Sequence, residues 1–237
     1  MRALAVARRE LRGALDQPLA YVLVGAFAAL SAAFFFVLAP FFAEARTTLR
    51  PFFEFAPFAL TLFAPALAMR TLAEEARGGG LDLLLSWPLD PGVVVAGKFL
   101  GAWGVLGLAL LCTAGLPITV SALGPLDWGP VLAGYLGLFL YGGACLAIGV
   151  FASAMSSHQV VAFIGGFTAC FALYLAGRAQ VVLPAGLASI AHAIGFEARV
   201  TGFARGVVDT GDVAFFVAVM VGALGLAREA VDARRWR

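Results

Sequence analysis

Long stretches without charged residues alternate with short charged stretches along the whole chain. The first, residues 17–43, holds 27 residues, which as a helix would measure about 40 Å and cross the roughly 30 Å apolar layer of a membrane. Residues 128–177 hold 50 uncharged residues, enough for two crossings, and the polar run at 155–159 divides them. The pattern predicts six membrane-spanning helices, over residues 18–42, 51–70, 99–121, 131–154, 158–177 and 212–229.

The interval 179–196 is apolar but ambiguous, because it contains Pro184, Gly186 and His192. Positively charged residues concentrate in cytoplasmic loops, so the distribution of Lys and Arg favours one interpretation. With six spans and both termini in the cytoplasm, 11 of the 16 Lys and Arg residues lie inside; a seventh crossing would leave 9 there. We therefore expect residues 179–205 to form a re-entrant or interfacial segment on the outer side.

The first 16 residues have a different pattern. Leu4, Ala7 and Leu11 fall on one face of a helix, whereas Arg2 and Arg9 lie mostly elsewhere. This arrangement predicts an amphipathic helix over residues 1–16 that lies on the inner leaflet of the membrane.

Composition agrees with a membrane protein. Hydrophobic residues make up 62% of the 237 and charged residues only 13%, about half the usual share of a soluble domain. So much apolar surface cannot be buried in one soluble core of this size, which excludes a soluble enzyme, a disordered chain and a coiled coil. We expect an all-α polytopic membrane protein in which residues 1–237 form one transmembrane domain.

Three patterns resemble catalytic or nucleotide-binding motifs, but each lacks a residue or a spacing that the motif requires. Residues 92–98, GVVVAGK, match a phosphate-binding loop until Phe99, where Ser or Thr would be needed for Mg²⁺; we expect a loop in which Lys98 marks the inner end of the third span. The Glu74–Glu75 pair lacks the spacing of an intramembrane metalloprotease. Ser157 and His158 are adjacent, so on a helix they would point about 100° apart. We predict no catalytic residue and no metal site, with an intramembrane hydrolase as a remote alternative.

Charge is densest in residues 70–98, which hold seven of the 30 charged residues. The pattern predicts a short acidic helix over about 70–77, a hinge at Gly78–Gly80, and a second short helix that ends before Pro88. Exposed leucines in LDLLLSW would be unusual without a contact surface. We call residues 70–98 the coupling segment and expect it to dock a partner from the cytoplasmic side. A solvated loop is the alternative.

The coupling segment resembles the signature loop of ABC type-2 permeases, closest to the gliding-motility and nitrous-oxide-reductase-maturation branch. The run AEEARGGGLDLLLSWPLDPGVVVAGKFLG carries the resemblance, with Gly80 where Thr is usual and Asp82 where Glu is usual. Two later blocks, around residues 141–167 and 195–216, resemble the same branch in the same order. The matching positions in the first block are Glu74, Glu75, Arg77, Gly79, Asp82, Leu84, Leu85, Pro88, Gly97, Lys98 and Phe99.

The resemblance implies a permease subunit of the bacterial inner membrane. Such a subunit works as a dimer with an identical or paralogous copy, alongside two cytoplasmic ATPase chains that bind ATP and Mg²⁺. This chain would bind no cofactor itself. A variant of this function passes ATPase motion to a periplasmic or membrane-anchored accessory protein and moves little cargo. The residues expected to contact or shape the ATPase-docking surface are Glu74, Glu75, Arg77, Gly79, Gly80, Asp82 and Pro88.

Two further sets are candidates for other roles. Glu54, His192 and Glu197 are polar residues near the predicted outer interface, where they line an exit route or belong to a solvated loop. Small residues at helical spacing predict close packing of helices, within the subunit or between two copies. These packing positions are Gly101, Gly104 and Gly107 in the third span, and Gly166 in the fifth.

Overall fold

A computed structural model describes residues 18–38, 48–77, 90–179 and 194–234, together with Gly13. All regular structure in these ranges is helical. The first helix continues into a π-helical turn at Phe34–Leu38. The helices are α1 (Pro18–Ala33), α2 (Arg50–Ala68), α3 (Ala73–Arg77), α4 (Pro91–Cys112), α5 (Gly115–Leu123), α6 (Trp128–Met155), α7 (Gln159–Ala179), α8 (Phe196–Ala204) and α9 (Thr210–Arg234).

Six helical segments within the described ranges are long and apolar enough to cross a membrane. The third combines α4 and α5, which are separated by a turn at Thr113–Ala114. The predictions of an all-α fold and of six membrane-spanning helices are confirmed. We number the segments as the first to the sixth span: Ala20–Val37, Arg50–Ala68, Pro91–Leu123, Trp128–Met155, Gln159–Arg178 and Thr210–Ala233.

The third span begins earlier than its charge-free interval. Helix α4 starts at Pro91, so residues 92–98 are helical, and the expectation of a loop that ends at Lys98 is wrong. Asp90 explains the early start, because its side chain accepts a hydrogen bond from the backbone N–H of Gly92 at 3.1 Å. Pro91 then occupies the first helical position, where its fixed φ favours a helix.

Some predicted elements fall partly or wholly outside the described residues. This group consists of the interfacial helix at 1–16, the glycine hinge and second short helix of the coupling segment, and residues 180–193 of the re-entrant segment. Within the described part, the short acidic helix starts at Ala73, after a turn at residues 69–72 that had been expected to be helical. The segment at 179–205 contributes the short helix α8.

Helix α6 lies at the centre of the bundle. Of its membrane-crossing stretch, 72% is buried, against 22% of the corresponding stretch in the first and sixth spans. Helices α2, α4, α7, α8 and α9 all pack against it, and the contact with α9 is the most extensive. Its polar groups are few, so packing of side chains must hold these helices together.

Glycines in α6 let the neighbouring helices approach closely. A Cβ added at Gly134 or Gly137 would lie 2.6 Å from a ring atom of Phe53 or from the Cβ of Phe203, and one at Gly149 would lie 2.6 Å from the Cβ of Ala68. The missing side chains therefore form the depressions into which the other helices fit. At Gly142 the neighbour is Leu106, and at Gly143 the neighbours are Trp103 and Met220.

Replacing Gly149 by Ala should destabilise the bundle by about 1–3 kcal/mol through overpacking. The new methyl group would meet Ala68 and would also lie 3.1 Å from the backbone Cα of Pro65, and neither is the end of a flexible side chain. Gly222→Ala is the matched control, since nothing lies within 4 Å of the position of its added Cβ. Thermal unfolding of the purified protein in detergent compares the two; equal midpoints would contradict the close approach.

Candidate functional site

The two ends of the bundle carry separate groups of polar residues. We call one the Arg70 end, which includes Arg70, Asp90, Ser153 and Arg228. The opposite one, the Glu197 end, includes α8 and the residues around it. The described residues among the candidates for docking and for an outer gate lie at one end or the other, so each end is described in turn.

At the Arg70 end, helix α3 follows the second span after one turn of chain. The Arg70 guanidinium donates hydrogen bonds to both carboxylate oxygens of Glu74, at 3.0 and 3.2 Å. Glu74 and Arg77 are exposed, and Glu75 lies in the same helix. Since Arg70 partly neutralises Glu74, α3 presents a compact group of both charges to solvent rather than an isolated acidic surface.

The hydroxyl of Ser153 joins α3 to the central helix. Its Oγ accepts hydrogen bonds from the backbone N–H groups of Leu72 and Ala73, at 3.1 and 3.0 Å, and donates to the carbonyl oxygen of Met69 at 3.2 Å. Ser153 and Ala73 are fully buried, and Leu72 nearly so. We call these three hydrogen bonds the Ser153 cap, because they satisfy the first N–H group of α3 and two backbone groups of the turn before it from a residue about 80 positions away.

A second contact lies at the far end of the coupling segment. Arg228, near the end of the sixth span, approaches the Asp90 carboxylate at 3.4 Å, and both side chains are about half exposed. Its aliphatic part also packs close to Gly92. The residues that flank 78–89 are thus joined to the fourth span on one side and to the sixth on the other.

The other residues predicted for docking lie outside the described part of the chain: Gly79, Gly80, Asp82 and Pro88. Lys98 is described and is buried within α4, about two turns from the start of the helix. Its burial shows why charge was a poor marker of the helix start: the long aliphatic chain of a lysine lets it remain inside a helix near the membrane surface.

At the Glu197 end, ion pairs join α8 to its neighbours. Arg178, at the end of the fifth span, donates to both carboxylate oxygens of Glu197, at 2.7 and 2.8 Å. Arg199 donates to Asp212 at 2.8 Å, and its guanidinium lies 3.9 Å from the ring centroid of Phe215. Helix α8 is therefore held at one side by the fifth span and at the other by the sixth.

Two of the three candidates for an outer gate are placed by the structure. Glu197 pairs with Arg178, and Glu54 pairs with Arg50 at 3.0 Å on the surface of α2. The third, His192, lies outside the described residues. Glu54 and Glu197 thus each pair with a separate arginine, and the Arg50–Glu54 pair is the more exposed of the two.

The interior between the two ends is apolar and aromatic. Tyr141 is fully buried, shares a hydrogen bond with the Thr61 hydroxyl, and is flanked edge-on by Phe196 and Phe216. Thr61 also donates to the carbonyl oxygen of Pro57, at 2.8 Å. Among the described residues, no three His, Cys, Asp or Glu side chains lie close enough together to hold a metal ion.

The predicted packing residues differ in their surroundings. A Cβ at Gly107 would lie 3.3 Å from the Phe139 ring, and one at Gly166 would lie 3.2 Å from the Cα of Gly149. Gly101 is buried and Gly104 is half-buried in α4. Gly166 therefore faces the central helix of the same subunit, and Gly107 faces a ring of that helix.

Comparison with known proteins identifies the family. The profile of the ABC-2 family of transporter proteins matches residues 5–193, which is most of the chain. The chain belongs to the ABC-2 transporter family. The resemblance drawn from the coupling segment is confirmed at this level.

Two curated relatives are 35% identical to this ABC-2 protein within the stretches that align. One is a probable ABC transporter permease protein NosY of Pseudomonas aeruginosa, similar over 109 residues that cover 46% of this chain and 39% of the relative. The other is a probable NosY permease of Stutzerimonas stutzeri, similar over 82 residues that cover 35% and 30%. The similarity thus spans less than half the length of either relative.

Sequence analysis of this ABC-2 protein missed Ser153, the contact between Asp90 and Arg228 at the start of α4, and the two ion pairs that hold α8. Ser153 is a hydroxyl residue within an otherwise apolar span, and that is the only local signal it carries. Asp90 precedes Pro91, a pair typical of a helix start, and could have been recognised. Arg199 and Asp212 are 13 residues apart and belong to different helices, so their contact has no local signal.

Replacing Asp212 by Asn should lower the free energy of unfolding by about 1–3 kcal/mol, because Arg199 would lose a charged partner at a site where its side chain is only 25% exposed. Glu54→Gln is the matched control, since the Arg50–Glu54 pair is 64% and 55% exposed and should contribute about 0–1 kcal/mol. Denaturation of both variants in the same detergent compares them. A larger loss for Glu54→Gln would contradict the role of the Arg199–Asp212 pair.

Proposed function

We propose that this chain is the membrane-spanning permease subunit of an ATP-driven ABC transporter, in which α3 and the rest of the coupling segment dock a separate ATPase chain. The membership of the ABC-2 family carries the proposal. The export direction, a dimer with a second copy or a paralogue, and two ATPase chains that bind ATP and Mg²⁺ belong to the same proposal. The chain itself would be non-catalytic and would sit in the bacterial inner membrane.

The surroundings of α3 support its role in docking. It is a five-residue helix in which Glu74 and Arg77 are exposed, and it lies at the end of the bundle where the second span finishes. A short charged helix fits a groove on a partner through complementary charges, which give such contacts their specificity. Its attachment to the central helix supports the proposal, because a partner docked on α3 would then be connected directly to the most buried element of the bundle.

The distribution of positive charge supports a cytoplasmic Arg70 end. Five of the described Lys and Arg residues lie at or near this end: Arg70, Arg77, Lys98, Arg228 and Arg234. An even number of spans places both termini on the same side of the membrane. The first 12 residues then add four arginines to the side of the Arg70 end.

The turn at residues 156–158 supports a non-catalytic chain. The Ser156 hydroxyl accepts from the backbone N–H of His158 at 3.0 Å, and Ser157 and His158 are exposed between the fourth and fifth spans. Neither lies within the bundle, where an intramembrane hydrolase would hold its nucleophile and base. This turn fits a connection between spans.

A mechanotransmitting subunit is the second candidate function. The buried polar side chains of the described residues are few, and the interior around Tyr141 is filled by aromatic rings. One subunit alone thus offers little lining for a polar cargo, which favours passing motion to an outer partner protein. With the complex in liposomes, ATP hydrolysis that rises with an added cargo would favour transport, and hydrolysis that rises only with an outer partner would favour mechanotransmission.

Cysteine labelling tests the orientation. In a Cys112→Ser background, Val207→Cys at the Glu197 end should react with a membrane-impermeant maleimide in intact cells, because Val207 is 61% exposed. Ser157→Cys, in the exposed turn at the other end, should react only after the membrane is opened. The reverse pattern would place α3 on the outer side and would overturn the proposed docking.

Charge reversal in α3 tests the docking itself. The double variant Glu74→Arg, Glu75→Arg should abolish co-purification of the ATPase, because it replaces two acidic residues of the proposed contact by basic ones. Glu54→Arg, at the opposite end, is the control and should leave the complex intact. The co-purified chain is identified by its nucleotide-binding motifs and by ATP hydrolysis, and a single elution peak in detergent checks that the variant is folded. An intact complex in the double variant would contradict the proposal.

A further inference from the structure

We propose that Ser153 is the positioning residue through which movement of α3 enters the bundle, so that the central helix α6 receives the motion of the docked ATPase. This inference rests on the proposed function. Its structural basis is the Ser153 cap, in which one buried hydroxyl holds two N–H groups and one carbonyl oxygen of the chain that leads into α3.

Helix α3 cannot hold its own position. A helix of five residues forms too few internal hydrogen bonds to be stable alone, because the first turn is the costly one. The Arg70–Glu74 pair stabilises its exposed side. The described contacts that fix it to the bundle are the Ser153 cap, the packing of buried Leu72 and Ala73, and a contact with α7.

The cap also selects which helix moves with α3. The backbone leads from α3 to the second span, but the turn at residues 69–72 lies between them. The Ser153 hydroxyl bonds to both ends of that turn, at Met69 and Leu72, and to Ala73 of α3. It therefore connects α3 directly to α6, two residues before α6 ends. Since α6 packs against five other helices, a displacement delivered to it is shared by most of the bundle.

The contact at the other flank is weaker. The Asp90–Arg228 pair is about half exposed on both sides, and exposed pairs at such distances contribute little. Buried hydrogen bonds cost more to lose, because their polar groups cannot turn to water instead. The Ser153 cap should therefore be the stronger of the two connections.

The cap itself is tested in the isolated chain by amide hydrogen exchange. In Ser153→Ala, the amides of Leu72 and Ala73 should exchange at least about tenfold faster than in the wild type, because both lose their acceptor. Ser156→Ala is the matched control, since within the described part of the chain that hydroxyl bonds to His158 of its own turn. Ser153→Thr retains a hydroxyl and should keep the protection. Unchanged exchange in Ser153→Ala would overturn the proposal.

The transmission is tested in the complex with the co-purifying ATPase. In a Cys112→Ser background, the reaction of Leu132→Cys with a maleimide reports on the opposite end of α6, where Leu132 is 68% exposed. Addition of ATP should change this rate at least about threefold in otherwise wild-type protein. Ser153→Ala should abolish the change while the ATPase still co-purifies and Ser156→Ala retains it. A cap variant that keeps the full ATP response would overturn the inference.

The two proposals fail differently. If no ATPase co-purifies with the wild type, the proposed function is wrong, whereas the exchange experiment still shows whether Ser153 holds α3. If the ATPase co-purifies and Ser153→Ala responds to ATP as the wild type does, the docking stands and the route through Ser153 is wrong.

Discussion

The absence of side chains at a few positions of α6 is the constraint on which the rest of the bundle depends. In a membrane, helices gain little by leaving lipid for one another, so close packing has to supply the attraction. Gly134, Gly137 and Gly149 let a ring or a backbone lie where a Cβ would otherwise be. The central helix therefore presents a surface with depressions at its glycines. The depression that each neighbouring helix fills fixes the position of that helix.

Buried hydroxyl groups fix the relative position of neighbouring segments more closely than apolar packing does. The Thr61 hydroxyl bonds both to Tyr141 on α6 and to a carbonyl of its own helix, and the Ser153 hydroxyl bonds to three backbone groups of one turn. Both residues are fully buried, where an unmatched polar group is costly. Each hydroxyl thus allows one relative position of two chain segments and penalises others, whereas apolar packing alone would tolerate small shifts.

The spans could be predicted from sequence because charge and apolar length report directly on a membrane. The start of α4 could not be predicted from charge, since Lys98 stays inside the helix and the Asp90 cap marks the true start. Gly166 was recognisable from its spacing, but the glycines of α6 are spread irregularly and gain meaning only from the helices opposite them. The Ser153 cap joins residues about 80 positions apart, which no local pattern encodes.

The closely packed pair of α6 and α9 connects the two ends of the bundle. Helices α6 and α9 pack against each other more extensively than any other described pair, and the two flanks of residues 78–89 attach to this pair through Ser153 and Arg228. A force on both flanks would act on one well-packed unit rather than on two loosely joined helices, so it would tend to turn that unit as a rigid body. At the opposite end, the Arg178–Glu197 and Arg199–Asp212 pairs connect α8 to the fifth and sixth spans. Rotation of the unit would therefore change the position of α8 at the far side of the membrane, because one of these pairs belongs to the unit and the other does not.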